Sequence, residues 1–181
     1  MDILSRYRDA SIEDIWNEDN RYNLFYEVEL AYLKAEAMLG KIPADIPDYL
    51  ERNRPSFSAE EIENEEKITR HEVVAFINVV SRKLDKYTEY FHRGLTSSDI
   101  MDTVFSLQIK QSLRHINALT DETIKVLTEK ADQFKHNACA GRTHGVHAEP
   151  YFFGLRFLTV AVALKRSLNM LAALEQSIPG K

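Results

Sequence analysis

The chain has 181 residues, enough to bury a core as one domain or as one domain plus part of another. Its 44% hydrophobic and 28% charged residues exclude a disordered chain, and a formal net charge of -5 gives no basis for a nucleic-acid partner. The single cysteine, Cys139, excludes an intrachain disulfide. Residues Met1 to Arg6 carry neither the basic nor the apolar region of a signal peptide. The stretch from Phe152 to Leu164 is too short, and too interrupted by Gly154, Arg156 and Thr159, to span a bilayer. The expectation is a cytoplasmic protein without a membrane partner.

Six glycines and five prolines are spread so that nothing between Gly94 and Gly141 breaks a helix, and few stretches alternate with period two. The predicted fold is all-α. Ser11 is expected to cap a short helix through Asn17, with Glu13 and Asp14 in its first turn. A helix over Asn20 to Leu39 follows, its apolar stripe Leu24, Val28, Ala31, Ala35 and Met38, with Gly40 as its stop. Residues 41 to 57 hold three of the five prolines and read as a linker around one helical turn. Ser58 caps an acidic helix to about Ile68, and Thr69 with Glu72 three residues on matches a capping box for the run Val73 to Ile77.

After a connection over residues 85 to 95, Thr96-Ser97-Ser98-Asp99 opens the longest helix, predicted to run to about Lys135. At 1.5 Å per residue its length is on the order of 55 Å, more than a compact domain of this size can cover. Its apolar side (Val104, Leu107, Leu113, Ile116, Leu127, Phe134) therefore calls for a bundle. A loop over 137 to 148 is expected next, and Glu149-Pro150 is expected to start a last helix with the stripe Phe153, Phe157, Val160, Leu164, Leu168 and Leu171. The organisation is an N-terminal helical domain over residues 1–95 and part of a central helix bundle over 96–181.

Three segments suit chemistry. Arg70-His71-Glu72 stands at a helix start, where unpaired N–H groups and the positive dipole end favour an anion; read plainly, it is a cap with two solvated neighbours. His92 with Thr96 and Ser97 offers hydroxyls that either cap the long helix or hold a phosphate or carboxylate. In Gly141-Arg142-Thr143-His144-Gly145-Val146-His147, glycines let the backbone turn sharply and present an imidazole beside a hydroxyl and a guanidinium, a group suited to proton transfer near neutral pH. A hydrogen-bonded loop histidine is the plain alternative. His144-x-x-His147 lacks the third and fourth ligands of a metal site, so neither a metal nor another cofactor is expected.

In order and spacing, Thr-Arg-His-Glu-Val-Val-Ala-Phe at 69–76, Gly-Leu-Thr-Ser-Ser-Asp at 94–99 and Gly-Arg-Thr-His-Gly-Val-His-Ala-Glu-Pro at 141–150 resemble the adenylosuccinate lyase branch of the fumarase/aspartase superfamily. The resemblance runs from about Arg6 to the last residue and covers the N-terminal portion of that family only. It implies a β-elimination that releases fumarate from adenylosuccinate, giving AMP, and from the succinyl imidazole carboxamide ribonucleotide of purine synthesis. By the same resemblance His144 is the general acid that protonates the departing nitrogen, with Thr143 beside it. Thr96 and Ser97 bind the succinyl carboxylate; Arg70, His71 and Glu72 line the nucleotide part, His71 near the phosphate. His92 is a further site histidine, and Arg6-Tyr7 match a short nucleotide-binding pair.

The family usually has Asp where this chain has Glu72. Its general base lies on a Ser-containing mobile loop that no segment here resembles, and its homotetramer builds each site from three subunits. The expectation is a small nucleotide substrate, a homotetramer when full-length, and little activity from this chain alone. Alternatives are a superfamily lyase for argininosuccinate or fumarate, or a non-catalytic helical oligomerisation module.

Overall fold

The computed structural model describes residues 6–180. Its elements run α1 (Ala10–Trp16), α2 (Glu18–Met38), α3 (Asp45–Arg52), α4 (Ala59–Thr69), α5 (Glu72–Lys83), a 3-10 turn (Thr88–Tyr90), α6 (Ser97–Gln133), β1 (Ala138–Thr143), β2 (Val146–Phe152) and α7 (Gly154–Ser177). The mainly α architecture expected from the sequence is present, with one small antiparallel hairpin added. The chain divides into two compact units: one holds the chain up to Ile109 together with its last residues from Pro179, the other is Lys110–Ile178.

In the first unit the helices start and stop at identifiable chemistry. Asp9, not Ser11, caps α1 through the Ile12 N–H at 3.1 Å, and Asn17 caps α2 through Asn20 at 2.7 Å. Aspartate and asparagine compete well for this role, and each precedes the helix by one residue. Gly40, at φ +70°, ends α2 in a Schellman motif: its N–H reaches the Ala37 carbonyl and the Lys41 N–H reaches Glu36, both at 3.0 Å.

The buried face of α2 is not the aliphatic stripe drawn from the sequence. Tyr22, Phe25, Tyr26, Leu30 and Leu33 face the core, while Ala31, Ala35 and Met38 are exposed. Leu24 and Val28 pack only along the margin of that core. The aromatic rings remove more apolar area from water per residue and so set the rotation of the helix. They meet Phe76 and Phe91 in a cluster, with Phe25 edge-on to Phe76 at 5.4 Å and Tyr26 against Phe91 at 5.5 Å. The expected linker supplies α3, whose Ile46 and Leu50 are fully buried; Tyr26 donates its hydroxyl proton to the Leu50 carbonyl at 2.8 Å.

Ser58 and Glu61 form a reciprocal capping box on α4. A second box at Thr69 does not form, because Thr69 is still the last residue of α4. Arg70 then adopts the left-handed conformation (φ +55°), and α5 begins at Glu72 with His71 as its N-cap. Glu72 is thus the first residue of the helix rather than the third. The α4–α5 hairpin is tied by Glu65, which accepts two bonds from the Arg82 guanidinium, at 2.6 and 2.8 Å, and one from Asn78 at 2.8 Å.

In the second unit the expected loop is an antiparallel pair, with Ala138 opposite Phe152 and Thr143 opposite Val146. The expected helix start at Glu149-Pro150 is a correction of the same kind: both residues lie in β2. Proline is tolerated in this strand because the pair has only two members, leaving an outer edge with no ladder to fill. The register shifts between Ala140 and Arg142, at Gly141, where a Cβ would stand 2.6 Å from the Glu149 carbonyl oxygen.

Helix α7 starts instead at Gly154, packed so closely on the end of α6 that a Cβ would lie 2.4 Å from the Ala131 carbonyl oxygen. Phe134, Phe153 and Phe157 pack as a trio around this crossing, with centroids 5.4 to 5.9 Å apart. By length and composition α7 could cross a membrane. Lys165 and Arg166 sit at its middle, however, where each costs a bilayer-spanning helix about 2.5–3.5 kcal/mol. Its exposed Leu155, Leu158, Val160, Val162 and Met170 equally suit cover by protein.

Two outcomes follow from these contacts. Gly154→Ala forces the α6–α7 crossing apart and should destabilise the second unit by about 1–3 kcal/mol, read as a lower urea midpoint. Hydrogen bonds from Arg82 and Asn78 hold the Glu65 carboxyl below its ordinary value of 4.5. Its stabilising contribution is therefore complete above 4.5 and is lost as pH falls through the lowered folded-state value. Glu65→Gln should lower stability at pH 7 and make its decline below 4.5 shallower, measured by urea unfolding across pH.

Candidate functional site

In the first unit the starts of α5 and α6 carry the expected residues. His71 caps α5 by accepting the Val74 N–H on Nδ1 at 3.4 Å, and its Nε2 lies 3.4 Å from the Ser97 hydroxyl on the first turn of α6. Thr96 precedes that helix: its N–H donates to the Asp99 carboxylate at 2.8 Å, while its carbonyl accepts the Asp99 N–H. His71 and Ser97 thus meet although 26 residues apart, with Thr96 exposed beside Ser97 in sequence. Two helix N-termini with a hydroxyl and an imidazole between them present donors, which is what an oxyanion needs.

Glu72 turns to protein partners. Its carboxylate takes two contacts from the Arg21 guanidinium, at 2.5 and 2.8 Å, and a third from the Tyr22 hydroxyl at 3.2 Å. Burial, reinforced by the Glu72 charge, pushes the Tyr22 phenol well above its ordinary range, so it keeps the proton it donates. Arg21 and Tyr22 were not legible as site neighbours. Arg21 follows an asparagine on a helix rich in charges and carries no local pattern of its own.

His92 is anchored rather than open. Its backbone N–H donates to Glu29 at 3.0 Å, and its Nδ1 lies 2.6 Å from the other Glu29 oxygen. Glu29 is fully buried; desolvation raises its carboxyl from the ordinary value, opposed by the hydrogen bond from His92. The pair pins the left-handed His92 (φ +59°) four residues before Thr96, and so fixes where α6 begins. A buried charge is retained only when paired, and the packing of α2 on its aromatic face is what shows Glu29 to be buried.

Arg70 is exposed and lines a shallow groove with Glu63, Glu66 and Lys67 on α4. Arg6 and Tyr7 are both exposed, the guanidinium 5.9 Å from the tyrosine ring centre. A half-open pocket of about 240 Å³ lies in this unit, lined by Tyr32, Glu36, Lys41, Tyr90 and Arg93 among others, and includes none of the expected site residues.

In the second unit Thr143 and His144 stand at the hairpin tip. Thr143 pairs with Val146, leaving His144 and Gly145 as a two-residue turn with φ of +51° and +78°. Two consecutive positive φ values are the geometry of the type I′ hairpin turn, whose twist matches that of its strands. Gly145 adopts it freely; His144 does so at a strain of about 1–2 kcal/mol. The result is an exposed imidazole on a strand-supported apex, with Thr143 preceding it in sequence.

Comparison with known proteins shows the family. The sequence model of the family described as Lyase matches residues 5–179. The chain is 37% identical over 180 residues to adenylosuccinate lyase of Thermotoga maritima, covering 99% of this chain and 42% of that protein. It is 35% identical to adenylosuccinate lyase of Aquifex aeolicus over the same shares. Among solved structures, a fumarate lyase from Mesorhizobium sp. BNC1 superposes with a TM-score of 0.84 at 26% identity, over 92% of this chain and 40% of that one. The fold is also that of 3-carboxy-cis,cis-muconate lactonizing enzyme from Pseudomonas putida, with a TM-score of 0.81 at 22% identity. The chain spans about 42% of the length of the curated relatives it matches. On a match that runs from residue 5 to residue 179, the chain belongs to the lyase family.

Proposed function

We propose that this chain supplies the proton-donating and anion-binding parts of an adenylosuccinate lyase site. The observation that carries the reading is His144 at the strained apex of the β1–β2 hairpin, exposed and flanked by Thr143 and Gly145. A turn that holds a histidine at positive φ spends folding energy to present it, a pattern typical of functional positions.

The reaction is the β-elimination of fumarate from adenylosuccinate or the succinyl imidazole carboxamide ribonucleotide. A base removes a proton from the succinyl carbon beside a carboxylate, and the electron pair left behind forms the fumarate double bond. The C–N bond breaks, and the departing nitrogen takes a proton from the His144 imidazolium. Thr143 orients the substrate beside it. Thr96 and Ser97 hold a succinyl carboxylate at the start of α6, where the dipole stabilises the charge that builds up in the transition state. His71 and Arg70, with Arg6 and Tyr7, take the nucleotide end. His92, bound to Glu29, serves by fixing the start of α6.

In this reading residues 1–95 form the N-terminal domain and 96–181 contribute to a central bundle. Its other helices come from the rest of the full-length protein and from the other subunits of a cytoplasmic homotetramer. Exposed apolar side chains on both long helices, Leu119 and Val126 on α6 and Leu158 and Val162 on α7, support that assembly. The base belongs to a segment that this chain does not resemble. A lyase for argininosuccinate or fumarate is the second reading, supported by the 0.84 TM-score to a fumarate lyase.

Three measurements test the proposal. In the full-length protein, His144→Ala should lower kcat by about 10²–10⁴-fold, the usual share of general acid catalysis, with KM little changed. Unchanged kcat sinks the donor assignment. Purified alone, the 181-residue chain should release fumarate at background rate; normal turnover means that it carries its own base. Succinyl substrates lacking the phosphate should react poorly. Equal rates with argininosuccinate would favour the second reading.

A further inference from the structure

The peptide that carries His71 is constrained on both sides. On one side Arg70 is left-handed, a conformation unfavourable for a residue with a Cβ that persists only where neighbouring structure enforces it. On the other, Glu72 is the first residue of α5, and its carboxylate reaches 51 residues back along the chain to Arg21. Arg21 is itself held in place: it contacts Glu18 at 3.0 Å, and its guanidinium stands 5.4 Å from the Phe25 ring centre and 5.8 Å from that of Tyr22. Tyr22 is buried, stacked on Phe76, and gives its proton to Glu72. A bidentate guanidinium–carboxylate pair with a third donor fixes a carboxylate in direction as well as position.

Between these restraints His71 has a defined chemical state. Its Nδ1 accepts the Val74 N–H, so in the neutral ring the proton must be on Nε2. That Nε2–H faces the Ser97 hydroxyl on the first turn of α6.

We infer that Arg21, assisted by Tyr22, is a positioning residue of this lyase site: by clamping Glu72 it holds the first turn of α5 so that His71 caps with Nδ1 and presents Nε2–H. The inference rests on the functional reading above for the purpose of that N–H, but the clamp and the tautomer stand on geometry alone. It also gives the glutamate at position 72 a function. The carboxylate that an aspartate would carry on a shorter side chain here reaches across to α2. Glu72 acts on the site through the backbone, and the nucleotide is contacted by its neighbour. Arg21 touches neither substrate nor reacting atoms.

The test reads His71 directly and needs no turnover, so it is separate from any failure of the lyase reading. Long-range proton–nitrogen spectra of the labelled 181-residue chain at pH 8 distinguish a ring whose bare nitrogen is Nδ1 from one whose bare nitrogen is Nε2. The signal among the six histidines is assigned by its loss in His71→Gln. The wild-type chain should show the Nε2–H tautomer. In Arg21→Met the ratio of that tautomer to the other should fall by about fivefold, the equivalent of one lost cap hydrogen bond. Arg21→Lys, which keeps one charged donor, should restore most of it. Glu72→Gln, of nearly equal size, provides the same reading if Arg21→Met does not fold. A wild-type ring protonated on Nδ1 would overturn the inference. So would an unchanged tautomer ratio in Arg21→Met or Glu72→Gln accompanied only by a lower melting temperature.

Discussion

The reversal of the chain at Arg70 is the constraint on which the first unit's functional geometry depends. Helix α4 must stop and α5 must start within two residues, so the backbone passes through a left-handed residue that is not glycine. Such a junction is unfavourable in isolation. It is retained because α4 and α5 are tied to each other by Glu65 with Arg82 and Asn78, while Glu72 ties the start of α5 to Arg21 and Tyr22 of α2. Between the ties, Val73, Ala75, Phe76 and Val80 bury the inner face of α5 against the aromatic side of α2. The helix cannot rotate without exposing that face, and His71 therefore cannot leave the start of α5.

The second unit solves the corresponding problem differently. Instead of a helix start it uses a β-turn to present a histidine, and the strands on either side set the direction of the turn. Gly141 admits the bulge that bends β1 around the Glu149 carbonyl, and Gly154 lets α7 begin in backbone contact with α6. Both are places where a single methyl group has no room. Strain is concentrated at candidate site residues: Arg70, His92 and His144 are three of the four non-glycine residues at positive φ among the described residues. Regular elements lie close to each of them, helices around Arg70 and paired strands around His144, which is how a small domain keeps strained backbone without losing its fold.

Helices and their ends were largely readable from the sequence, because caps and glycine stops act over three or four residues. Ser58, Gly40 and the Thr96–Asp99 start behave as their local chemistry requires. The failures came where distant packing outvoted local pattern. Thr69 and Glu72 match a capping box in sequence, yet α4 continues through Thr69 and the carboxylate goes to Arg21, a partner that no local rule identifies. On α2 the small aliphatic stripe lost to the larger aromatic one, a matter of buried area rather than spacing. The hairpin was missed because its strands, Ala138–Thr143 and Val146–Phe152, are mostly exposed and so show no alternation of apolar with polar residues. The Thr-His-Gly sequence at its turn pointed to chemistry but not to its backbone form. As for the site, the segments with helix-start or turn signatures were legible, whereas Arg21, Tyr22 and Glu29 become visible only when α2 is packed on its neighbours.

In the proposed reaction His144 faces the nitrogen that leaves with the nucleotide. A crystal structure of the full-length protein, with its base disabled and adenylosuccinate bound, measures this directly. The expected result is an imidazole nitrogen of His144 at about 2.6–3.2 Å from the bridging nitrogen of the substrate, on the face opposite the proton that is removed. A His144 ring that points away from that nitrogen, with another acid in hydrogen-bond reach of it, would rule out His144 as the proton donor.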